Sequence, residues 1–327
     1  MSAKELNKKD SAKISPAKQR ISLIGVPTDI GASHRGGSMG PDALRVAGLE
    51  QALRSLGRDV IDRGNVTGPV NPMKPPTDGY RHLPETIQWN RAVRDAMYST
   101  LNSGEFPVLM GGDHSLAIGS VAGVARYCKE RGKNLYVFWL DAHADFNTPK
   151  TSPSGNIHGM PAAVLSGFGH PSMLEIGFTT PIIEANHIIQ IGIRSVDAHE
   201  KIAVVEKGVN VFDMRQVDEI GMRAIMEKAL GLIPRKNAHL HVSFDVDFID
   251  PTIAPGVATT VSGGPNYREA QLCMEMIHDS GLVGSLDIVE INPAFDQNNK
   301  TAELAVELVE SIFGKQILAR NPFLAQL

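Results

Sequence analysis

Residues 135–147 read LYVFWLDAHADFN, an apolar run with the composition of a buried strand that ends in Asp141, His143 and Asp145 at alternate positions. In extended chain, side chains two apart point the same way, so these three face one point where the strand stops. Isolated buried carboxylates are too costly to leave unpaired. Two carboxylates and an imidazole in that setting are ligands of the metal-binding type.

The pattern recurs. FPVLM (106–110) runs into GGDHS, offering Asp113 and His114, and HLHVSF (239–244) runs into DVDFIDP, offering Asp245 and Asp247 two apart. One Asp after a strand is ordinary, but three such ends in one chain point to a site. Four carboxylates (Asp141, Asp145, Asp245, Asp247) and two imidazoles (His114, His143) suffice for two divalent ions if some carboxylates bridge. The oxygen-rich set without thiolates favours Mn²⁺ over structural Zn²⁺, while affinity alone leaves Co²⁺, Ni²⁺ and Zn²⁺ open. Two such ions can share a water, lower its pKa and hold it as hydroxide near neutral pH.

Working outward, further strands are expected at ISLIG (21–25), RDVID (58–62), HIIQIGI (187–193), VNVFD (209–213) and GSLDIVEI (284–291). Helical periodicity fits Pro41 to Leu56, Pro84 to Ser103 and Ser115 to Arg131, each followed by glycine. Such alternation predicts a mostly parallel α/β sheet covered by helices on both faces, with functional groups at the carboxyl ends of its strands. It does not separate an open sheet from a closed barrel. The Pro-rich stretch 69–84 reads as a long loop, because the alternation resumes unchanged after it.

The 327 residues fit one α/β domain, with residues 1–20 a polar tail and 21–327 a single catalytic domain. With 32 basic against 36 acidic residues, nothing suggests nucleic acid or an anionic membrane as partner. Two cysteines make no disulfide framework, and no apolar run is long enough to span a membrane. A cytoplasmic protein is expected. The Gly-rich GASHRGGSMG (31–40) carries neither the dinucleotide fingerprint nor the Walker pattern. Asp113 and Asp250 read as turn residues or partners of ligands, and His239 and His241 as hydrogen-bonded core histidines.

GGDHSLAIGS, DAHADFNTP, SGNIHG, SFDVDFIDP and DIVEINP, in that order, resemble the ureohydrolases, and VPTDIGASHRGGSMGPDALR resembles the arginase family in particular. The resemblance covers residues 21 to about 310 and implies an open, mostly parallel eight-stranded sheet in a three-layer α/β/α fold. It further implies two Mn²⁺ per subunit, one held by His114, Asp141, Asp145 and Asp245, the other by His143, Asp141, Asp245 and Asp247, with Asp141 and Asp245 bridging. Glu290 would accept hydrogen bonds from a guanidinium, and His158 would move a proton to the departing amine. Asn147, Ser152 and Ser154 would receive the α-carboxylate of L-arginine directly or through water, Asn156 would also bind substrate, Asp197 and Glu200 would lie near its α-amino group, and Thr259 would line the pocket rim. His34 and Arg35 are expected at the entrance without a catalytic role.

Two departures bear on the substrate. Ala258-Thr259-Thr260 stands where arginases commonly read Gly-Thr-Pro, and Ser195 replaces an acidic residue. The expected activity is manganese-dependent hydrolysis of L-arginine to L-ornithine and urea by a hydroxide bridging the ions, in a homo-oligomer of trimeric or hexameric type. The alternatives are another guanidino hydrolase, such as agmatinase or guanidinobutyrase, and a catalytically silent metal-binding homologue.

Overall fold

β-branched and apolar runs become strands, and the amphipathic stretches between them become helices. The computed structural model describes residues 19–318; the expected tail, as far as residue 18, and residues 319–327 lie outside the described residues. The strands are β1 (Ile21–Gly25), β2 (Val60–Asn65), β3 (Phe106–Met110), β4 (Asn134–Leu140), β5 (Ile188–Ile193), β6 (Asn210–Asp213), β7 (Ala238–Asp245) and β8 (Val283–Val289). They form one sheet in the order β2-β1-β3-β8-β7-β4-β5-β6, and every neighbouring pair is parallel. With β2 and β6 at its edges the sheet is open, which settles the question that periodicity leaves.

Helices cover both faces. On one lie α1 (Gly40–Val46), α2 (Leu49–Ser55), α8 (Met214–Gly231), α9 (Tyr267–Ser280) and α10 (Lys300–Ile312), sharing a core with Phe138, Leu140, Val242, Phe244, Leu286 and Ile288. On the other lie α3 (Leu83–Asn102), α4 (Ala117–Glu130), α5 (Pro161–Leu165), α6 (Pro171–Leu174) and α7 (Ala198–Lys207), packed on Leu109, Val137, Trp139 and Ile188. Among the described residues, no helix is long and apolar enough to cross a membrane.

Several boundaries differ from the expectation, β2 for example running on to Asn65 and α4 beginning at Ala117. The single helix from Pro41 to Leu56 is two, because Gly48 between α1 and α2 adopts φ 81°, which a right-handed helix cannot contain. β2 begins at Val60 rather than residue 58, and β8 ends at Val289 rather than 291, because Glu290 turns into the left-handed region at φ 66°. The stretch expected as a loop over 69–84 is one as far as residue 82, with a bridge between Thr77 and Tyr80, and α3 takes its last two residues.

The topology sets the site. β3 and β4 are consecutive in the chain but separated in the sheet by β8 and β7, which enter last. The carboxyl ends of β3, β8, β7 and β4 therefore stand side by side at the centre, where the ligand-type residues are. α3 and α4 must pack closely over this centre: a Cβ at Gly119 would lie 2.2 Å from the Asn90 carbonyl oxygen, and Asn90 Oδ1 accepts the Gly119 N–H at 2.6 Å. Gly119→Ala is expected to force the helices apart and destabilise the fold by about 1–3 kcal/mol. An unchanged urea midpoint would contradict the close contact.

Candidate active site

Each ligand sits where its strand stops. His114 follows β3 in a 3-10 turn (His114–Leu116) that leads into α4; Asp141 follows β4; Asp245 ends β7, and Asp247 lies in the turn after it. His114 Nδ1 is 3.0 Å from Asp141 Oδ2, 3.1 Å from Asp145 Oδ2 and 3.2 Å from Asp245 Oδ2. Yet this buried nitrogen makes no hydrogen bond. His143 Nδ1 lies 3.0 Å from Asp247 Oδ2 and 3.5 Å from Asp141 Oδ1.

Two groups of metal-ligand atoms result, His114, Asp141 and Asp245 in one and Asp141, His143 and Asp247 in the other, each within 4.8 Å. Asp141 belongs to both. Asp245 falls in the first, and its Oδ1 accepts the Asp247 N–H at 2.8 Å. An imidazole nitrogen buried among three carboxylates without a hydrogen bond is an arrangement that a divalent cation completes, so the residues fit a metal pair.

The electrostatics agree. Burial, with Asp247 and Asp141 close by, holds the Asp245 carboxyl well above the usual range. Burial and the neighbouring Asp141 lift Asp145 to about 6. Burial works against the charge of His143, but Asp247 and Asp141 outweigh it and push the imidazole up to about 12. The cluster holds more carboxylates than its two imidazoles can neutralise, a charge balance that suits divalent cations.

Above the ligands opens a cleft of about 250 Å³. His158, Glu290, Asn147, Ser152, Ser154, Asn156, Asp197, Glu200 and Thr259 all line it, together with His114, His143, Asp145 and Asp245. Asp141 and Asp247 do not, and are fully or almost fully buried. A model of the Arginase family matches residues 19–314. The chain belongs to the arginase family.

Arginase from Bacillus caldovelox is 43% identical over 300 residues, covering 91% of this chain and 99% of that one. Arginase from Bacillus subtilis is 42% identical over 299 residues, covering 91% and 99%. The solved structure of the Bacillus caldovelox arginase superposes with a TM-score of 0.87 over 92% of this chain and all of that one. An Entamoeba histolytica arginase solved with L-ornithine gives 0.85 at 30% identity, over 91% of this chain and 99% of that one.

Within this arginase-family cleft, contacts absent from the sequence reading appear. His158 Nδ1 lies 2.9 Å from Glu290 Oε1, and Glu290 outweighs burial to raise the imidazole to about 9. Glu290 Oε1 also accepts the His114 N–H at 2.8 Å, leaving Oε2 for a ligand. Asp145 and Glu290 both have left-handed backbones, φ 49° and 66°, which cost a non-glycine residue on the order of 1–3 kcal/mol and gather at functional sites.

Trp139 donates from Nε1 to Asp141 Oδ2 at 2.9 Å and stacks on His114 at 4.2 Å; Ser243 Oγ meets His114 Nε2 at 2.8 Å. Each precedes a ligand by two residues on the same strand face, a signal the sequence carries. Thr259 Oγ1 donates to Asp247 Oδ2 at 3.2 Å, so this residue of the rim also touches a ligand-type carboxylate. Asp197 and Glu200 form the capping box of α7, and Glu200 accepts the N–H groups of Phe146 and Asp197. Ser195, the substituted position, lies on the cleft wall and pairs with His143 through a parallel bridge.

Because Asp141 alone is shared by both ligand groups, Asp141→Ala is expected to abolish binding of both ions, whereas Asp247→Ala loses one. Metal analysis of the purified variants decides, and an Asp141→Ala protein holding two ions per chain would sink this division.

Proposed function

We propose that the cleft hydrolyses L-arginine to L-ornithine and urea, with two Mn²⁺ ions held by His114, Asp141, His143, Asp145, Asp245 and Asp247. The observation that carries this reading is the unpartnered His114 Nδ1 among three carboxylates, on the floor of a cleft whose wall bears the His158–Glu290 pair. The relatives named arginase supply the substrate. When bound, the ions supply a water of lowered pKa and positive charge against the negative charge that develops in the reaction.

The chain's own groups do the rest. Glu290 Oε2 accepts from the planar guanidinium and holds its carbon over the floor. As the oxygen of a water bonds to the guanidinium carbon and gives up its proton, the C–N bond to the ornithine side breaks, and the departing nitrogen takes a proton to leave as an amine. His158, with Nδ1 committed to Glu290, moves that proton at Nε2.

At the far end, Ser152 Oγ accepts the Gly155 N–H and Ser154 Oγ accepts the Asn156 N–H. Each hydroxyl therefore keeps its own proton for an acceptor, which suits an α-carboxylate. Asn147 donates one amide N–H to Asp197 Oδ2 at 3.0 Å, and its buried Oδ1 has no partner, so a second N–H and an acceptor remain for substrate. Asp197 and Glu200, the latter raised by burial to about 7, line the side where the α-amino group would lie. Asn156 is held between Arg81 and Ser33, which fixes the rim. We propose too that the described residues from 21 onward form one catalytic domain of a cytoplasmic enzyme that assembles as a trimer or a pair of trimers; the part of the expected domain from 319 to 327 lies outside the described residues.

Two kinetic measurements test it. Agmatine lacks the α-carboxylate, and buried polar groups left unpaired can discriminate by about 10⁴-fold, less where water substitutes. L-Arginine is expected to exceed agmatine in kcat/KM by on the order of 10² or more; equal or better hydrolysis of agmatine would overturn the substrate assignment. His158→Asn is expected to keep its metal content and lose roughly 10²-fold in kcat. Loss of both ions in that variant would make His158 a ligand instead.

A further inference from the structure

A second buried polar cluster lies beneath the cleft and takes no part in the chemistry above. On β7 the side chains of His239, His241, Ser243 and Asp245 share one face, while Leu240, Val242 and Phe244 enter the core on the other. Toward the same side, β8 presents Ser285 and Asp287, and α4 presents Ser120. Asp287, His241, Ser285 and Ser120 are completely buried. Asp287 accepts from Ser120 Oγ at 2.7 Å on Oδ1 and 2.5 Å on Oδ2, and from His241 Nε2 at 3.1 Å. Ser285 Oγ joins His241 Nδ1 at 2.9 Å to His239 Nε2 at 3.0 Å.

A carboxylate here carries a desolvation cost, and apolar packing would serve stability as well or better. Its distinguishing property is direction. The three elements tied at Asp287 are those that carry the site: α4 follows directly on the turn holding His114, β7 ends in Asp245, and β8 leads into Glu290. Apolar faces can slide along one another; a carboxylate bonded to both a helix and a strand fixes their relative height.

The ladder needs such a device. The β7/β8 register shifts between Leu240 and His241, and from His241 onward it runs His241 with Ser285, Ser243 with Asp287 and Asp245 with Val289. The His241–Ser285 and His241–Asp287 bonds begin immediately after the shift. A slip of one residue there would turn Asp245 to the opposite face.

We propose that Asp287 is a positioning residue for the metal pair: bonded to Ser120 and His241, it sets the register of α4, β7 and β8 that brings His114, Asp245 and Glu290 to one point. This role rests on the binuclear reading given above.

Chelator competition on the folded protein is the test, because a merely stabilising residue would lower the melting temperature without changing the metal affinity of molecules that remain folded. Asp287→Asn and Ser120→Ala are compared with wild type at a temperature where circular dichroism shows all three folded. Asp287→Asn is expected to weaken metal binding by about tenfold or more, and Ser120→Ala to weaken it in the same direction by less. At saturating metal, Asp287→Asn should still lower kcat and raise the KM for L-arginine, because Glu290, the guanidinium acceptor, loses its fixed register together with His114 and Asp245. If Asp287→Asn does not fold, Ser120→Ala, which removes one tie and no charge, decides alone. Folded variants with wild-type metal affinity overturn the role of Asp287. Failure of the wild-type protein itself to bind a pair of ions overturns the binuclear reading instead.

Discussion

His114 Nδ1 has three carboxylate oxygens within 3.2 Å, and ligand atoms of Asp141 and Asp245 lie within 4.8 Å of one another. Two like charges at about 4 Å repel by roughly 4 kcal/mol even with the screening usual in proteins. A flexible chain would relax such a cluster by moving apart. Here it cannot, because every ligand follows from a strand end or a turn anchored to one: Asp141 Oδ1 accepts the His143 N–H, Asp247 Oδ1 the Ala142 N–H, and Asp245 Oδ1 the Asp247 N–H. The backbone that creates the crowding also orients the carboxylates, leaving Asp245 Oδ2 for a cation, with one lone pair each on Asp141 Oδ2 and Asp247 Oδ2 beside their bonds to Trp139 and Thr259.

Parallel topology makes that anchoring possible. β7 and β8 are the last strands among the described residues and fill the gap between β3 and β4, so the four central strands end together although their site residues span 114 to 290. The strain at Asp145 and Glu290 belongs to the same arrangement. Glu290 N–H donates to the Gly112 carbonyl at 2.7 Å, and a Cβ at Gly112 would lie 1.6 Å from the Thr28 carbonyl oxygen. The turn after β3 therefore holds Glu290 on one side and the segment after β1 on the other, with no room for a side chain between.

Much of this is legible in the sequence because both relevant periods are short. Alternation of two shows the strands and places Asp141, His143 and Asp145 on one side; recurrence of acidic and imidazole groups after strands marks the end of the sheet that carries chemistry. Trp139 and Ser243 obey the same period and were open to the same reading, but a tryptophan or serine in a strand has too many ordinary uses to stand out. The contact of His158 with Glu290, 132 residues apart, leaves no local trace. Nor does the helix break at Gly48, since a glycine inside a periodic stretch is compatible with a continuous helix until the packing of α1 and α2 demands a positive φ.

The two ends of the cleft are built differently, and this bears on where the family's variation can fall. Metal-type ligands stand on the rigid carboxyl ends of central strands, where a change of side chain must be compatible with neighbours on both faces. The groups expected to read the α-amino acid end come from the loop around Ser152 and Ser154 and from the start of α7, held by backbone N–H bonds to hydroxyls and by the Asp197–Glu200 capping box. Both sequence departures, Ser195 and Ala258-Thr259-Thr260, fall beside the ligands on this adaptable side. Ser195 keeps its pairing with His143 through the backbone, and Thr259 reaches Asp247 through its hydroxyl. Substitutions there can retune how the rim supports His143 and Asp247 without displacing the strands that bring the carboxylates together.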